Sequence, residues 1–146
     1  FFLTGGTAFA LGKGEILETL RPIPKTWMLL INPESELEQK TATMYEHLRQ
    51  RHFTTGEKVV LMVNSIASGK QISESLMRNT FEAIESEIFP DNRRIRQLIK
   101  DMGVDRVHLT GSGPSLFALI SGKKEGEQIM RQLSIEGISA VLVSTI

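Results

Sequence analysis

The residues best suited to chemistry lie in Leu109-Thr110-Gly111-Ser112-Gly113-Pro114-Ser115-Leu116-Phe117-Ala118-Leu119-Ile120. Glycines at 111 and 113 let the backbone take positive φ, or approach a bulky group without a Cβ clash. Strand-like residues flank them, Val107 to Thr110 before and Leu116 to Ile120 after, which reads as a hairpin with a short turn. A turn at the end of a sheet offers free backbone N–H groups, and these suit phosphate oxygens. The same spacing also fits a tight turn and nothing more. A Walker phosphate loop would need Gly-x-x-x-x-Gly-Lys-Ser/Thr opening a helix, and a dinucleotide fingerprint would need a third glycine and a helix. Neither is present, so any nucleotide contact would come from a loop that supports another element.

A second candidate is Thr41 with Tyr45. Four residues apart at the start of a helical pattern, they share a face. A hydroxyl beside an aromatic ring can hold a flat heterocycle by hydrogen bond and stacking; an N-terminal hydroxyl next to a packed ring fits equally well. Asn79-Thr80-Phe81-Glu82 has the spacing of a capping box at a helix start. His47, His52 and His108 show no metal-ligand spacing and read as surface or rim residues. Glu34, Glu36 and Glu38 share one polar connection and read as solvated. No Ser-His-Asp set or other complete catalytic constellation can be assembled, so no catalytic and no metal residue is assigned to this chain.

Composition narrows the function classes. Lys plus Arg equals Asp plus Glu, 17 each, which argues against a nucleic-acid partner. Arg93, Arg94, Arg96 and Lys100 form a local basic run that reads as a solvated helix face. There is no cysteine, which excludes disulfides, cysteine-based zinc sites and a thiol nucleophile. That fits a reducing compartment, and a cytoplasmic location is expected. No apolar run approaches the length of a membrane span, so no membrane partner is expected. At 146 residues, one domain over 1–146 is expected. The start, Phe1-Phe2-Leu3-Thr4-Gly5-Gly6, has no Met and no signal-peptide pattern, and reads as a chain cut from something longer.

The elements that would position these residues follow from periodicity. Residues 1–24 read as loops around one short strand, Glu15 to Leu20. Trp27 to Ile31 is a buried strand stopped by Asn32-Pro33. Helical spacing runs from Thr41, with Ala42, Tyr45 and Leu48 on one face, and from Glu57, with Val59, Met62, Val63 and Ile66. A third helix is expected from Thr80 to Phe89, stopped by Pro90, and a fourth from Asn92 to Met102, closed by Gly103. Lys123 to Leu133 is a helix, and Ile138 to Ile146 a closing strand. Without the extra helices the order is β-α-β-β-α-β. The predicted class is therefore α+β, a ferredoxin-like antiparallel sheet with extra helices packed on one face.

The motif Leu109 to Ala118 resembles the C-terminal glycine motif of the GHMP small-molecule kinases, which include galactokinase, homoserine kinase and mevalonate kinase. Phe1 to Ala8, then Gly12-Lys13-Gly14-Glu15, together with Asn79-Thr80-Phe81-Glu82, are similar to one branch of that family. Members of that branch move the γ-phosphoryl group of ATP, with Mg²⁺, to the 2-hydroxyl of a cytidine-diphosphate alcohol in the non-mevalonate isoprenoid pathway. The resemblance implies a two-domain kinase with its active site in the cleft between domains. It covers the C-terminal, substrate-side half only, with 1–24 beginning in the interdomain segment. The phosphate-binding loop, a Lys and the catalytic Asp would all precede Phe1, on an N-terminal kinase domain that is the implied partner. The fragment alone is then expected to be inactive and to bind no cofactor tightly. Carried over to this chain, Gly111, Ser112 and Gly113 would support the ATP phosphate loop, while Thr41 and Tyr45 would bind the cytosine. Thr80 stands where the family usually has Asp, and Lys40 where Ser is common. The alternative is a free-standing ferredoxin-like module that binds a ligand or serves regulation.

Overall fold

The structure, a computed structural model, describes residues 5–35 and 37–145. Phe1 to Thr4, Glu36 and Ile146, which entered the expectations above, lie outside the described residues. In chain order the elements are β1 (Thr7–Leu11), β2 (Ile16–Leu20), β3 (Trp27–Asn32), α1 (Lys40–His47), α2 (Glu57–Ala67), α3 (Glu85–Ile88), α4 (Pro90–Asp101), β4 (His108–Leu109), β5 (Leu116–Ile120), α5 (Lys123–Ile135) and β6 (Ser139–Ser144). The described residues form two compact units: 5–25 with Thr55–Met77, and Thr26–Thr54 with Arg78–Thr145.

The first unit holds β1, β2 and α2. The strands pair antiparallel, with Thr7 opposite Leu20 and Leu11 opposite Ile16. Sequence periodicity found β2 but not β1. Thr7-Ala8-Phe9-Ala10-Leu11 is built mostly of small residues between glycines, and has no strong alternation to mark it as a strand.

The second unit carries a four-stranded sheet in the order β4-β5-β3-β6. Every neighbouring pair is antiparallel. This is the predicted β-α-β-β-α-β arrangement. Register explains its core: Leu29 lies opposite Ala118, Ile31 opposite Leu116 and Trp27 opposite Ile120. Side chains alternate along a strand, so Leu29 and Ile31 share a face. Both are fully buried, as are Leu116 and Ala118. Ile95 and Ile99 of α4 and Ile129 and Leu133 of α5 complete the same core. Burying each such side chain stabilises the fold by about 1.5–3 kcal/mol.

The stretch Thr80 to Phe89 differs from the expected continuous helix. It is a 3-10 turn over Thr80–Ala83 followed by the single-turn α3. Pro90 does not merely stop a helix; it begins α4 at the first helical position, where its missing N–H costs nothing.

Candidate functional site

The site is built on the end of the β4–β5 hairpin. Within the turn, the Thr110 N–H donates to Ser115 O at 2.9 Å and the Gly113 N–H donates to Thr110 O at 3.0 Å. Gly111 and Gly113 have φ of 58° and 76°, the left-handed region that side chains adopt at a cost. The two glycines differ in what surrounds them. A Cβ on Gly113 would lie 2.9 Å from both Leu109 Cδ1 and Phe89 Cε2, whereas a Cβ on Gly111 would meet nothing within 4 Å. Gly113 is thus a packing requirement of this unit's own core, and Gly111 is the glycine with open space over it. The N–H groups of Gly111 and Ser112 donate to no group among the described residues.

That difference gives an expected result. Gly113→Ala should cost about 2–4 kcal/mol, combining left-handed strain with overpacking. Gly111→Ala should cost about 1–2 kcal/mol, from strain alone. Denaturant titration of the two variants side by side checks this. Equal losses would mean that Phe89 and Leu109 do not enforce the glycine.

Helix α1 supplies the second wall. Its buried residue is Met44, with no exposed surface. The expected apolar stripe of Ala42, Tyr45 and Leu48 is therefore replaced by Met44 and Leu48, four apart, facing inward. This turns Thr41 and Tyr45 outward. Tyr45 is 63% exposed, and its ring stands edge-on to Phe81, with centroids 5.1 Å apart and planes at 86°. Edge-to-face contact fixes the ring without covering both of its faces. Thr41 does not cap the helix. Its Oγ1 shares a hydrogen bond of 2.9 Å with Ser112 Oγ. Two groups of residues far apart in sequence, the Thr41/Tyr45 pair and the glycine turn, are in this way brought into direct contact.

A polar layer beneath the turn was not legible as such in the sequence. Asn79 Oδ1 accepts the Phe81 N–H at 3.1 Å, which is the capping half of the expected box. The other half fails, because Glu82 instead accepts the Leu109 N–H at 2.9 Å. Glu85, 5% exposed, is gripped by Arg96 through Nε at 3.2 Å and Nη2 at 2.6 Å. Arg96 is therefore not part of a solvated basic face. Asn92, 1% exposed, donates to Glu85 Oε1 at 2.7 Å and to Pro114 O at 3.0 Å. His108, expected at the surface, is 7% exposed; its Nδ1 lies 3.7 Å from Glu82 Oε1 and its ring 5.2 Å from that of Phe117. A helix-start Asn followed by Glu was the only sequence signal for this layer, and it was read as local.

Comparison with known proteins agrees with the fold. Residues 61–139 match the family described as GHMP kinases C terminal. A curated relative from Dehalococcoides mccartyi (strain ATCC BAA-2100 / JCM 16839 / KCTC 5957 / BAV1), named 4-diphosphocytidyl-2-C-methyl-D-erythritol kinase, is 37% identical over 147 aligned residues. The alignment covers 100% of this chain and 51% of the relative, so the chain spans about half the length of the protein it matches. A crystal structure of 4-(cytidine 5'-diphospho)-2C-methyl-D-erythritol kinase superposes with TM-score 0.76 at 24% identity, covering 98% of this chain and 51% of that one. A homoserine kinase from Cytophaga hutchinsonii superposes with TM-score 0.71 at 18% identity, covering 99% and 49%. These likenesses below a quarter identity speak to the fold alone, which is the predicted α+β class. The family match spans the glycine turn and more than half of the residues, and on that ground the chain belongs to the GHMP kinase C-terminal family.

Proposed function

We propose that this chain is the C-terminal, substrate-side half of an ATP-dependent kinase that phosphorylates the 2-hydroxyl of 4-diphosphocytidyl-2-C-methyl-D-erythritol, a step of isoprenoid precursor synthesis in the cytoplasm. The relatives' name supports the substrate. The observation that carries the reading is the Thr41–Ser112 hydrogen bond, which puts a hydroxyl-plus-aromatic pair beside a turn with free amides. In this reading the exposed Tyr45 ring stacks on the cytosine, and the Thr41 hydroxyl bonds to its edge. The Gly111 and Ser112 N–H groups back the ATP phosphate loop of an N-terminal kinase domain, which supplies the catalytic residues. Gly113 keeps the turn in place. Among the described residues no three or more His, Cys, Asp or Glu side chains stand together, so no residue of this half is named as a Mg²⁺ ligand.

Tyr45→Ala in the full-length protein tests the substrate assignment. Base–aromatic stacking is worth roughly 1–3 kcal/mol per base in nucleic-acid sites. The KM for the cytidine substrate should therefore rise about 5- to 150-fold, at roughly 1.4 kcal/mol per tenfold, with the KM for ATP little changed. An unchanged KM for the cytidine substrate would remove Tyr45 from the site.

A further inference from the structure

β4 is an edge strand, with β5 on one side and, among the described residues, no strand on the other. Alternate residues of such a strand turn their N–H and C=O groups away from the sheet. Thr110, whose N–H meets Ser115 O, faces β5. Val107 and Leu109 therefore face outward, where their backbone groups need other partners, and the Gly111 carbonyl at the start of the turn lies against the same edge.

Each of the three finds a side chain. Arg96 Nη1 donates to Val107 O. Glu82 Oε1 accepts the Leu109 N–H at 2.9 Å. Asn79 Nδ2 donates to Leu109 O at 2.9 Å and to Gly111 O at 2.7 Å. Three side chains thus match the two-residue period of a strand and occupy the edge that a further strand would take. An amide has two N–H donors and one acceptor oxygen. Asn79 uses both donors on the outward edge and its acceptor on Phe81, so no rotation of the group is left free.

We propose that Asn79, with Glu82, is a positioning residue for the glycine turn. By fixing the carbonyls of Leu109 and Gly111 on the outer edge, these side chains hold the free N–H groups of Gly111 and Ser112 toward the ligand side. The inference rests on the phosphate-supporting role proposed for the turn, but its structural half can be tested without it. Aspartate at position 79 would set a carboxylate, which cannot donate, against two carbonyl oxygens. The partly buried Leu109 carbonyl would lose its donor and the Gly111 carbonyl would face a charge of like sign, so the turn should loosen locally.

The experiment compares full-length wild type with Asn79→Asp, Glu82→Gln and Glu82→Leu. Amide hydrogen exchange reads Thr110 and Gly113, whose N–H groups are bonded within the turn. In Asn79→Asp both should exchange at least about tenfold faster, with α5 amides unchanged. Glu82→Gln keeps an acceptor for the Leu109 N–H and should stay near wild type, while Glu82→Leu should follow Asn79→Asp. Wild-type exchange in Asn79→Asp, or a uniform acceleration across α5, would overturn the inference. Steady-state kinetics supply the functional half. KM for ATP should rise about tenfold or more in Asn79→Asp and Glu82→Leu, with KM for the cytidine substrate held. Equal changes in both constants, or none, would overturn the positioning role. An inactive wild type with faster turn exchange in the variants would instead refute the kinase assignment and leave the clamp standing.

Discussion

Arg96→Met is expected to destabilise the second unit by about 3 kcal/mol, toward the lower end of what breaking a buried ion pair costs. Glu85 is 5% exposed, so its carboxylate has little water to turn to. Arg96 supplies two of its hydrogen bonds, and Asn92 a third. Methionine replaces the stem of Arg96 but none of its charge. The Arg96 side chain is itself 28% exposed, which lets some solvent reach the pair and places the value at the lower end. Val107 O also loses its side-chain donor. Urea denaturation of the variant checks the magnitude. The double variant Arg96→Met with Glu85→Leu separates causes. Removing the stranded carboxylate should recover most of the loss, since an apolar replacement of a whole buried pair is often neutral or stabilising. A double variant as unstable as the single one would show that the ion pair is not the origin.

The purified 146-residue chain, given ATP and the cytidine-diphosphate alcohol, is expected to release no ADP above a no-protein control. Phosphoryl transfer depends on simultaneous positioning and charge stabilisation of nucleophile, phosphates and metal. In the proposed function this chain's groups would only bind a base and back a phosphate loop. The chain also spans about half of the relatives it matches. ADP release that scales with the amount of chain would show that the half is catalytically sufficient.

What was legible in the sequence was whatever relies on local pattern. The run Trp27 to Ile31 and the apolar residues around Gly111 and Gly113 gave β3 and the β4–β5 hairpin, because continuous apolar runs beside glycines have few other uses. The sheet class followed from element order. The contact of Thr41 with Ser112 was not legible, since 71 positions separate them and no periodicity links them. Thr80 to Phe89 was misjudged for a related reason. Its apolar stripe is real, but Asn79 and Glu82 turn to the backbone of β4, and the chain there follows that edge rather than a helix ladder. Arg96 looked like one of several surface cations; only the return of α4 past α3 sets it against Glu85. Met44 took the buried position of α1 that Tyr45 was expected to share, and that exchange leaves the ring exposed.

Phosphorus NMR of the full-length protein with ATP and 4-diphosphocytidyl-2-C-methyl-D-erythritol tests the central claim most directly. The expected result is loss of the ATP γ-phosphorus signal in step with a new phosphomonoester on the alcohol. The substrate's diphosphate should remain intact, and homoserine and mevalonate should give no product. ATP left intact, or a phosphomonoester formed on homoserine or mevalonate but not on the cytidine-diphosphate alcohol, would contradict it.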